Sequence, residues 1–458
     1  MEPTSAPGLR ASARRALRVS LALAAGVLAV VGAGQPPARP PNIVFIMADD
    51  LGYADLGCYG QTRMRTPRLD RLAAEGTRFT QVYAGASVCA PSRGVLLTGL
   101  HLGHARIRAN SSHEGRISLT DADQTVAEVL QRSGYATGAI GKWGIGEPGT
   151  AGVPNRRGFD EWFGYLNQNH APFYYTDYLW RNDRKQEIPE NAGGRQVTYA
   201  HDLFADEAVD FLRRHRNEPF FLYLPFTLPH RRFEVPSLGA YADEDWPEEA
   251  KLFAAMVTRL DHDVGRVLDE LDRLGLAENT LVFFTSDNGS EKKKTFPGLF
   301  GSGGLFRGEK GTLYEGGLRV PMIVRWPGRV PAGAVSGAVW WFPDVFPTLV
   351  ALGRGQLPGH PLDGLDISPA LTGKTQPELE TRTLYWEDHD NEFSQAALRG
   401  HWKVLRTDTL NSPLALYDLK ADPGEQRDVA ASHPEIVAEF ERFLARSRTV
   451  SPHWPDPK

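Results

Sequence analysis

The stretch Pro41-Asn42-Ile43-Val44-Phe45-Ile46-Met47-Ala48-Asp49-Asp50 is a short apolar run that closes on two carboxylates. Its length and β-branched and aromatic content predict a strand over Asn42–Met47. Four more runs of the same kind follow, at Ala136–Ile140, Phe220–Pro225, Leu281–Thr285 and Pro321–Arg325. Between them lie helical patterns at Pro67–Ala74, Thr120–Ser133, Asp202–His215, Pro247–Leu274 and Pro343–Leu352. In the longest, Leu252, Met256, Leu260, Val264, Val267 and Leu271 recur at helical spacing. Strands alternating with helices predict an α/β fold built on a large, mostly parallel sheet flanked by helices. After about Pro369 the pattern changes to short segments at Thr383–Glu387, Ala396–Leu398, Trp402–Arg406 and Ala415–Leu419, then a helix at Pro434–Ala445. A smaller C-terminal subdomain, 370–458, with an antiparallel sheet and a helix is expected beside a main domain spanning 42–369.

Composition narrows the classes. At 458 residues, with 41% hydrophobic and 23% charged residues, the chain has the profile of a folded globular protein rather than a disordered or fibrous one. Two Cys exclude a disulfide-stapled scaffold, and a net charge of −5 without a basic stripe argues against nucleic acid as a partner. Arg10, Arg14, Arg15 and Arg18 precede an apolar run from Leu21 to Ala33, the pattern of a secretory signal peptide over 1–33. The uncharged stretch is short for a membrane span of roughly 20 residues. Removing 1–33 takes away four Arg and Glu2 and lowers the net charge from −5 to −8. A Pro-rich linker occupies 34–41, and no second long apolar stretch follows. A secreted or periplasmic protein without a membrane span in its mature chain is the expectation.

The polar residues collect where the strand candidates end. Asn42–Met47 runs into Asp49-Asp50, Leu281–Thr285 into Asp287-Asn288-Gly289, Ala136–Ile140 into Lys142, and Phe220–Pro225 into His230. Ligands of open α/β sheets bind outside the carboxyl ends of the strands, so these groups can share one rim. Each alone is a common turn or cap residue. Together, Asp49, Asp50, Asp287 and Asn288 offer hard oxygen donors that suit Ca2+ or Mg2+ rather than zinc.

The most specific stretch is Ser87-Val88-Cys89-Ala90-Pro91-Ser92-Arg93-Gly94-Val95-Leu96-Leu97-Thr98-Gly99. Pro91 suits the first turn of a helix running through Leu97. Cys89 then lies at the helix N-terminus, where N–H groups and the dipole favour an anion, with Arg93 one turn on. The pattern C-x-P-S-R followed by L-L-T-G resembles the signature of the formylglycine-dependent type I sulfatases of the alkaline phosphatase superfamily. Further motifs resemble the family's in its order. They are the opening strand into Asp49-Asp50-Leu51-Gly52, then Gly141-Lys142-Trp143, then Thr285-Ser286-Asp287-Asn288-Gly289. Next come Gly308-Glu309-Lys310-Gly311-Thr312-Leu313-Tyr314-Glu315-Gly316-Gly317, Leu416-Tyr417-Asp418-Leu419 and Asp422-Pro423-Gly424-Glu425.

The resemblance implies an alkaline phosphatase-like fold and a sulfuric ester hydrolase. It implies that a separate maturing enzyme oxidises Cys89 to formylglycine. Asp49, Asp50, Asp287, Asn288 and residue 89 would hold Ca2+, in preference to Mg2+. One hydroxyl of the hydrated aldehyde would attack sulfur, and the other would help expel sulfate. Lys142, Lys310 and Arg93 would supply positive charge to the sulfate, and His230 would protonate the leaving oxygen. Each has a plain alternative: Lys142 as a strand-end charge, Lys310 as a loop lysine, His230 as a turn residue after Pro229.

One position departs from the family. Many members read G-K-W-H-L-G, whereas this chain reads Gly141-Lys142-Trp143-Gly144-Ile145-Gly146. Gly144 leaves the part of that His, which touches the formylglycine hydroxyl, to His104, His170 or a water molecule. Cys58 is expected to be structural. The polar and aromatic segment Asn167–Tyr175 suits either stacking on a sugar or ordinary packing, and Glu291-Lys292-Lys293-Lys294 suits either a solvated loop or contact with a polyanion. The expected substrate is a sulfated carbohydrate or an aryl sulfate. A formylglycine-dependent phosphonate monoester or phosphodiester hydrolase is the rival enzyme, and a non-catalytic binder of sulfated glycans is the rival of another class.

Overall fold

The computed structural model describes residues 1–2, 39–291, 296, 298–390 and 392–456. The expected signal peptide (apart from its first two residues), most of the Pro-rich linker and the run Lys292-Lys293-Lys294 lie outside them. Pro40–Lys458 gather into one compact unit.

Its centre is strand β1, Asn42–Ala48, every residue of which is buried. Side chains alternate across a strand. Ile43, Phe45 and Met47 therefore enter one apolar cluster, and Val44, Ile46 and Ala48 the other. A strand covered on both faces has no polar position, which is why the run is continuously apolar. Beside β1 lie β7 (Phe220–Pro225) and β8 (Thr280–Ser286), both parallel to it. The sheet continues from β7 through β3 (Ala136–Lys142) and β4 (Glu161–Tyr165), again parallel, to the antiparallel edge strands β5 (Tyr178–Arg181) and β6 (Arg184–Glu187). On the other side, β9 (Arg319–Arg325) runs antiparallel to β8 and to β2 (Thr77–Tyr83). The short β10 (Ala334–Ser336) and β11 (Trp340–Trp341) pair parallel with β2. The large sheet is thus mixed and mostly parallel.

Helices cover both faces. α1 (Pro67–Glu75), α4 (Ala200–Arg214) and α5 (Glu248–Arg273) pack on the Val44 side, the last through Leu260, Val264, Val267 and Leu271. α2 (Cys89–Thr98), α3 (Val126–Arg132) and α6 (Val345–Leu352) pack on the Ile43 side. The antiparallel sheet of β12 (Thr383–Asp388), β13 (Ser394–Arg399), β14 (Trp402–Thr407) and β15 (Ala415–Asp418), with α7 (Pro434–Leu444), buries Leu384, Trp386, Leu398, Val404 and Leu444 in that same cluster.

One helix starts later than its pattern predicts. α3 begins at Val126 because Thr125 and Glu128 form a capping box: Glu128 N–H donates to Thr125 Oγ1, and Thr125 N–H to Glu128 Oε2. Upstream, Asp123 draws the Thr120 N–H into a turn instead. Strands β2, β4, β5 and β6 fall in segments with no clean apolar run, where polar and glycine positions break the signal.

Candidate active site

Strands β1, β3, β7 and β8 run parallel, so their carboxyl ends open on one rim. Asp49 and Asp50 leave β1, Lys142 ends β3, His230 follows β7, and Asp287 and Asn288 follow β8. Asp50 takes a left-handed backbone, φ 64°, a conformation Asp tolerates better than most residues. Its N–H donates to Asp287 Oδ1 at 3.2 Å, which joins the two acidic pairs.

Cys89 is the first residue of α2. Ala90 N–H donates to Asn110 Oδ1, and Gly99, φ 69°, closes the far end with its N–H on Val95 O. This fixes the helix with its N-terminus against the rim. Cys89 Sγ lies 3.4 Å from Asp49 Oδ1. Arg93, one turn on, is fully buried. Its Nε and Nη2 donate to Asp287 Oδ2 at 3.1 and 2.7 Å, and its Nη1 donates to the Lys142 carbonyl at 2.7 Å. Lys142 Nζ donates to Asp49 Oδ2, and Lys310 Nζ to Asp50 Oδ2, each at 2.7 Å. His230 Nε2 lies 3.6 Å from Asp50 Oδ2, and its Nδ1 bonds to the Arg231 carbonyl. All the residues expected at the site therefore meet.

The electrostatics of this cluster are dominated by burial. Burial drives the Asp49 carboxyl upward, but Lys142, first among the surrounding positive groups, and its neighbours hold it well below the usual carboxylate range. Asp287 goes the other way: burial and the adjacent Asp49 charge push it up to about 6, against the pull of Arg93. Burial, aided by Asp49, pushes the Cys89 thiol far up, so the unmodified side chain is a protonated thiol and a poor nucleophile. Burial lowers the His230 imidazole to about 4 against Asp49 and Asp50.

The residues present fit a hard divalent cation. Ligand atoms of Asp49, Asp50, Cys89 and His230 lie within 4.8 Å of one another. Asn288 Nδ2 donates to Asp50 Oδ1, while its Oδ1 is buried with no donor. A buried oxygen left so costs about 1–3 kcal/mol. A dication beside it would satisfy that oxygen and relieve the crowding of carboxylates.

A sulfatase family model matches residues 41–355, and a model of the C-terminal region of N-sulphoglucosamine sulphohydrolase matches residues 301–449. Arylsulfatase A of Homo sapiens is 35% identical over 464 residues, covering 90% of this chain and 88% of the relative. The chain belongs to the sulfatase family. It is a sulfuric ester hydrolase, a type I sulfatase of the alkaline phosphatase superfamily. N-acetylgalactosamine-6-sulfatase of Canis lupus familiaris is also 35% identical, over 84% of this sulfatase and 75% of the relative. The crystal structure of Ps i-CgsB in complex with k-i-k-neocarrahexaose superposes with a TM-score of 0.80 at 29% identity, covering 91% of this chain and 95% of that one.

The structure places the other groups that the sequence offered around this site. Neither histidine considered for the Gly144 vacancy is free. His104 follows the far end of α2 and bonds to Asp363 beside His101, about 15 Å of helix away from Cys89. His170 Nε2 bonds to Thr176 Oγ1 at 2.6 Å. Of the aromatic segment, Tyr174 is buried, and its hydroxyl donates to the Thr227 and His230 carbonyls; it holds the histidine turn in place. Phe173 is exposed, with the Arg232 guanidinium 4.2 Å over its ring.

The Lys310 motif is tied from beneath. Glu315 Oε1 lies 2.9 Å from Lys403 Nζ on β14, which lies 2.9 Å from Glu425 Oε1, and Glu425 Oε2 accepts the Glu315 N–H at 2.7 Å. Both glutamates were visible as parts of motifs, but a contact between residues 110 apart leaves no local signal. Cys58 is a free thiol in a turn whose N–H donates to Asp70 Oδ1, and burial with Asp70 pushes it up to about 12. Among the described residues, no helix is long and apolar enough to cross a membrane.

Proposed function

We propose that this sulfatase is exported and removes sulfate esters from carbohydrate, using a formylglycine made from Cys89 and one Ca2+ held by Asp49, Asp50, Asp287, Asn288 and residue 89. The observation that carries the reading is the placement of Cys89 Sγ, 3.4 Å from Asp49 and at the N-terminus of α2, inside a buried ring of three carboxylates and three cations. Once formed and loaded, the hydrated aldehyde and the metal would supply a nucleophilic hydroxyl, a second hydroxyl for sulfate release, and charge to polarise a sulfate oxygen.

The chain's own residues do the rest. Arg93 stays fixed between Asp287 and the Lys142 carbonyl and so holds the α2 terminus against β3 and β8. Lys142 and Lys310, whose carboxylate partners a cation would share, turn their ammonium groups to the sulfate oxygens and stabilise the charge that builds there. His230 stands at the outer edge, its backbone carbonyl bonded to Tyr174, where a leaving alcohol departs. Its imidazole starts low, and the negative charge of a bound ester raises it toward the protonated form that an acid catalyst needs. The carbohydrate preference draws on the exposed Phe173 and the amide-rich residues beside it, and on relatives named for sugar substrates.

Sulfate release from a panel of sulfated sugars and aryl sulfates tests this. The protein is co-expressed with a maturing enzyme, and Cys89→Ala is the control. Release by the wild type alone is expected. Absence of release despite a converted residue 89, verified by peptide mass, would overturn the reading, and retained sulfate binding in that case would indicate a glycan-binding protein.

A further inference from the structure

We propose that the Gln168 side-chain amide is a substrate-contacting hydrogen-bond donor of this site, filling the space that Gly144 leaves; this rests on the sulfatase reading above. Strands β3 and β4 are parallel and paired, Lys142 opposite Tyr165. The chains leaving them stay together, with Gly144 N–H donating to Leu166 O at 3.0 Å. Gln168, two residues on, therefore stands at the same rim as Lys142.

Gly144 has φ 82°, where side chains are disfavoured. A Cβ built there would fall 2.5 Å from Gln168 Nε2 and 3.8 Å from Arg93 Cδ. The amide nitrogen thus takes the room of a side chain at 144, a position that itself borders the arginine bracing the site. That Nε2 is buried and finds no acceptor in the protein. An unpartnered buried donor is costly, and the positive field of Arg93, Lys142 and the α2 N-terminus favours an anionic oxygen as its partner. A sulfate oxygen bound at the rim meets that need. An amide donates without giving up its proton, so Gln168 orients the sulfate and stabilises charge rather than carrying a proton.

The test compares wild type, Gln168→Ala and Gln168→Glu. Matured, Ca2+-loaded protein is assayed for kcat and KM on 4-nitrophenyl sulfate. Unmatured, Ca2+-loaded protein is titrated calorimetrically with inorganic sulfate, and melting temperatures are recorded. Gln168→Glu keeps the size and shape of the side chain but replaces the donor with an acceptor and adds a negative charge, so unchanged kinetics would leave it only a packing role. Expected are a fall in kcat/KM of about 100-fold for Gln168→Ala, carried mainly by kcat, and a larger one for Gln168→Glu. Inorganic sulfate binds both variants more weakly, and the melting temperature of Gln168→Glu stays at the wild-type value. Wild-type kcat/KM and sulfate binding in Gln168→Glu would overturn the assignment while the sulfatase reading stands. A matured wild type that neither binds sulfate nor cleaves any sulfate ester would overturn both.

Discussion

Lys142 serves the two halves of the site at once: its ammonium lies 2.7 Å from Asp49 Oδ2, and its carbonyl accepts from Arg93 Nη1 at 2.7 Å. The backbone contact survives substitution and the charge does not. Lys142→Ala is therefore expected to lower kcat/KM by about 100-fold to 1,000-fold, the range for removing one electrostatic contact to a transition state. Arg93 keeps its position, so a crystal structure of the variant should show α2 unmoved.

If the site holds Ca2+ as proposed, chelation separates the ion's contribution to chemistry from its contribution to stability. Treatment with EDTA should abolish sulfate release and lower the melting temperature, because an ion that binds only the folded site stabilises it. Added Ca2+ should restore both. Asn288→Leu should weaken Ca2+ binding at least tenfold by calorimetry, since it removes the oxygen that has no protein donor. Elemental analysis finding no divalent ion in active protein would exclude the metal role.

Acid should destabilise the fold through a histidine remote from the chemistry. His201, on α4, is wholly buried against Phe226, and burial lowers its imidazole to about 4. The unfolded chain takes up that proton below its ordinary value, 6.5. The contribution is therefore fully present above pH 6.5 and is lost as the pH falls toward 4. The loss amounts to about 3 kcal/mol at most. Denaturant melts of wild type and His201→Leu across this range check it; the variant should show a flatter slope, and parallel slopes would refute the assignment.

Lys403 bridges Glu315 and Glu425 in a fully buried cluster, where Arg319 Nη1 also lies 3.1 Å from Glu315 Oε2. Removing one partner of a buried ion pair leaves an uncompensated charge, at a cost of about 3–5 kcal/mol. Lys403→Met should lose stability of this order in urea, and sulfatase activity should fall with it, because Glu315 ends the segment that carries Lys310.

The central strands were legible in the sequence because burial on both faces makes them continuously apolar, and the carboxylates and amide of the candidate site because they end those strands in acidic or amide pairs. Cys89 and Arg93 were legible as one helical turn. The edge strands were not, since β6 is exposed along its length and carries no hydrophobic pattern. Gln168 was legible only as one amide of the polar and aromatic segment Asn167–Tyr175, for a related reason. Its importance comes from β4 lying beside β3, and Glu161–Tyr165 is a short strand interrupted by Gly164, which packs against the Gly141 carbonyl. The histidines that the sequence offered for position 144 are held elsewhere by Asp363 and Thr176, partners that only the folded chain reveals.

The tie between Glu315 and Glu425 also sets an order of events. The N–H that Glu425 clamps belongs to the loop of Lys310, yet Glu425 leaves the ribosome more than a hundred residues later. The Lys310 segment can be locked only when translation is nearly finished. A premature stop anywhere before residue 425 is then an active-site lesion, however far from the chemistry it falls on a gene map.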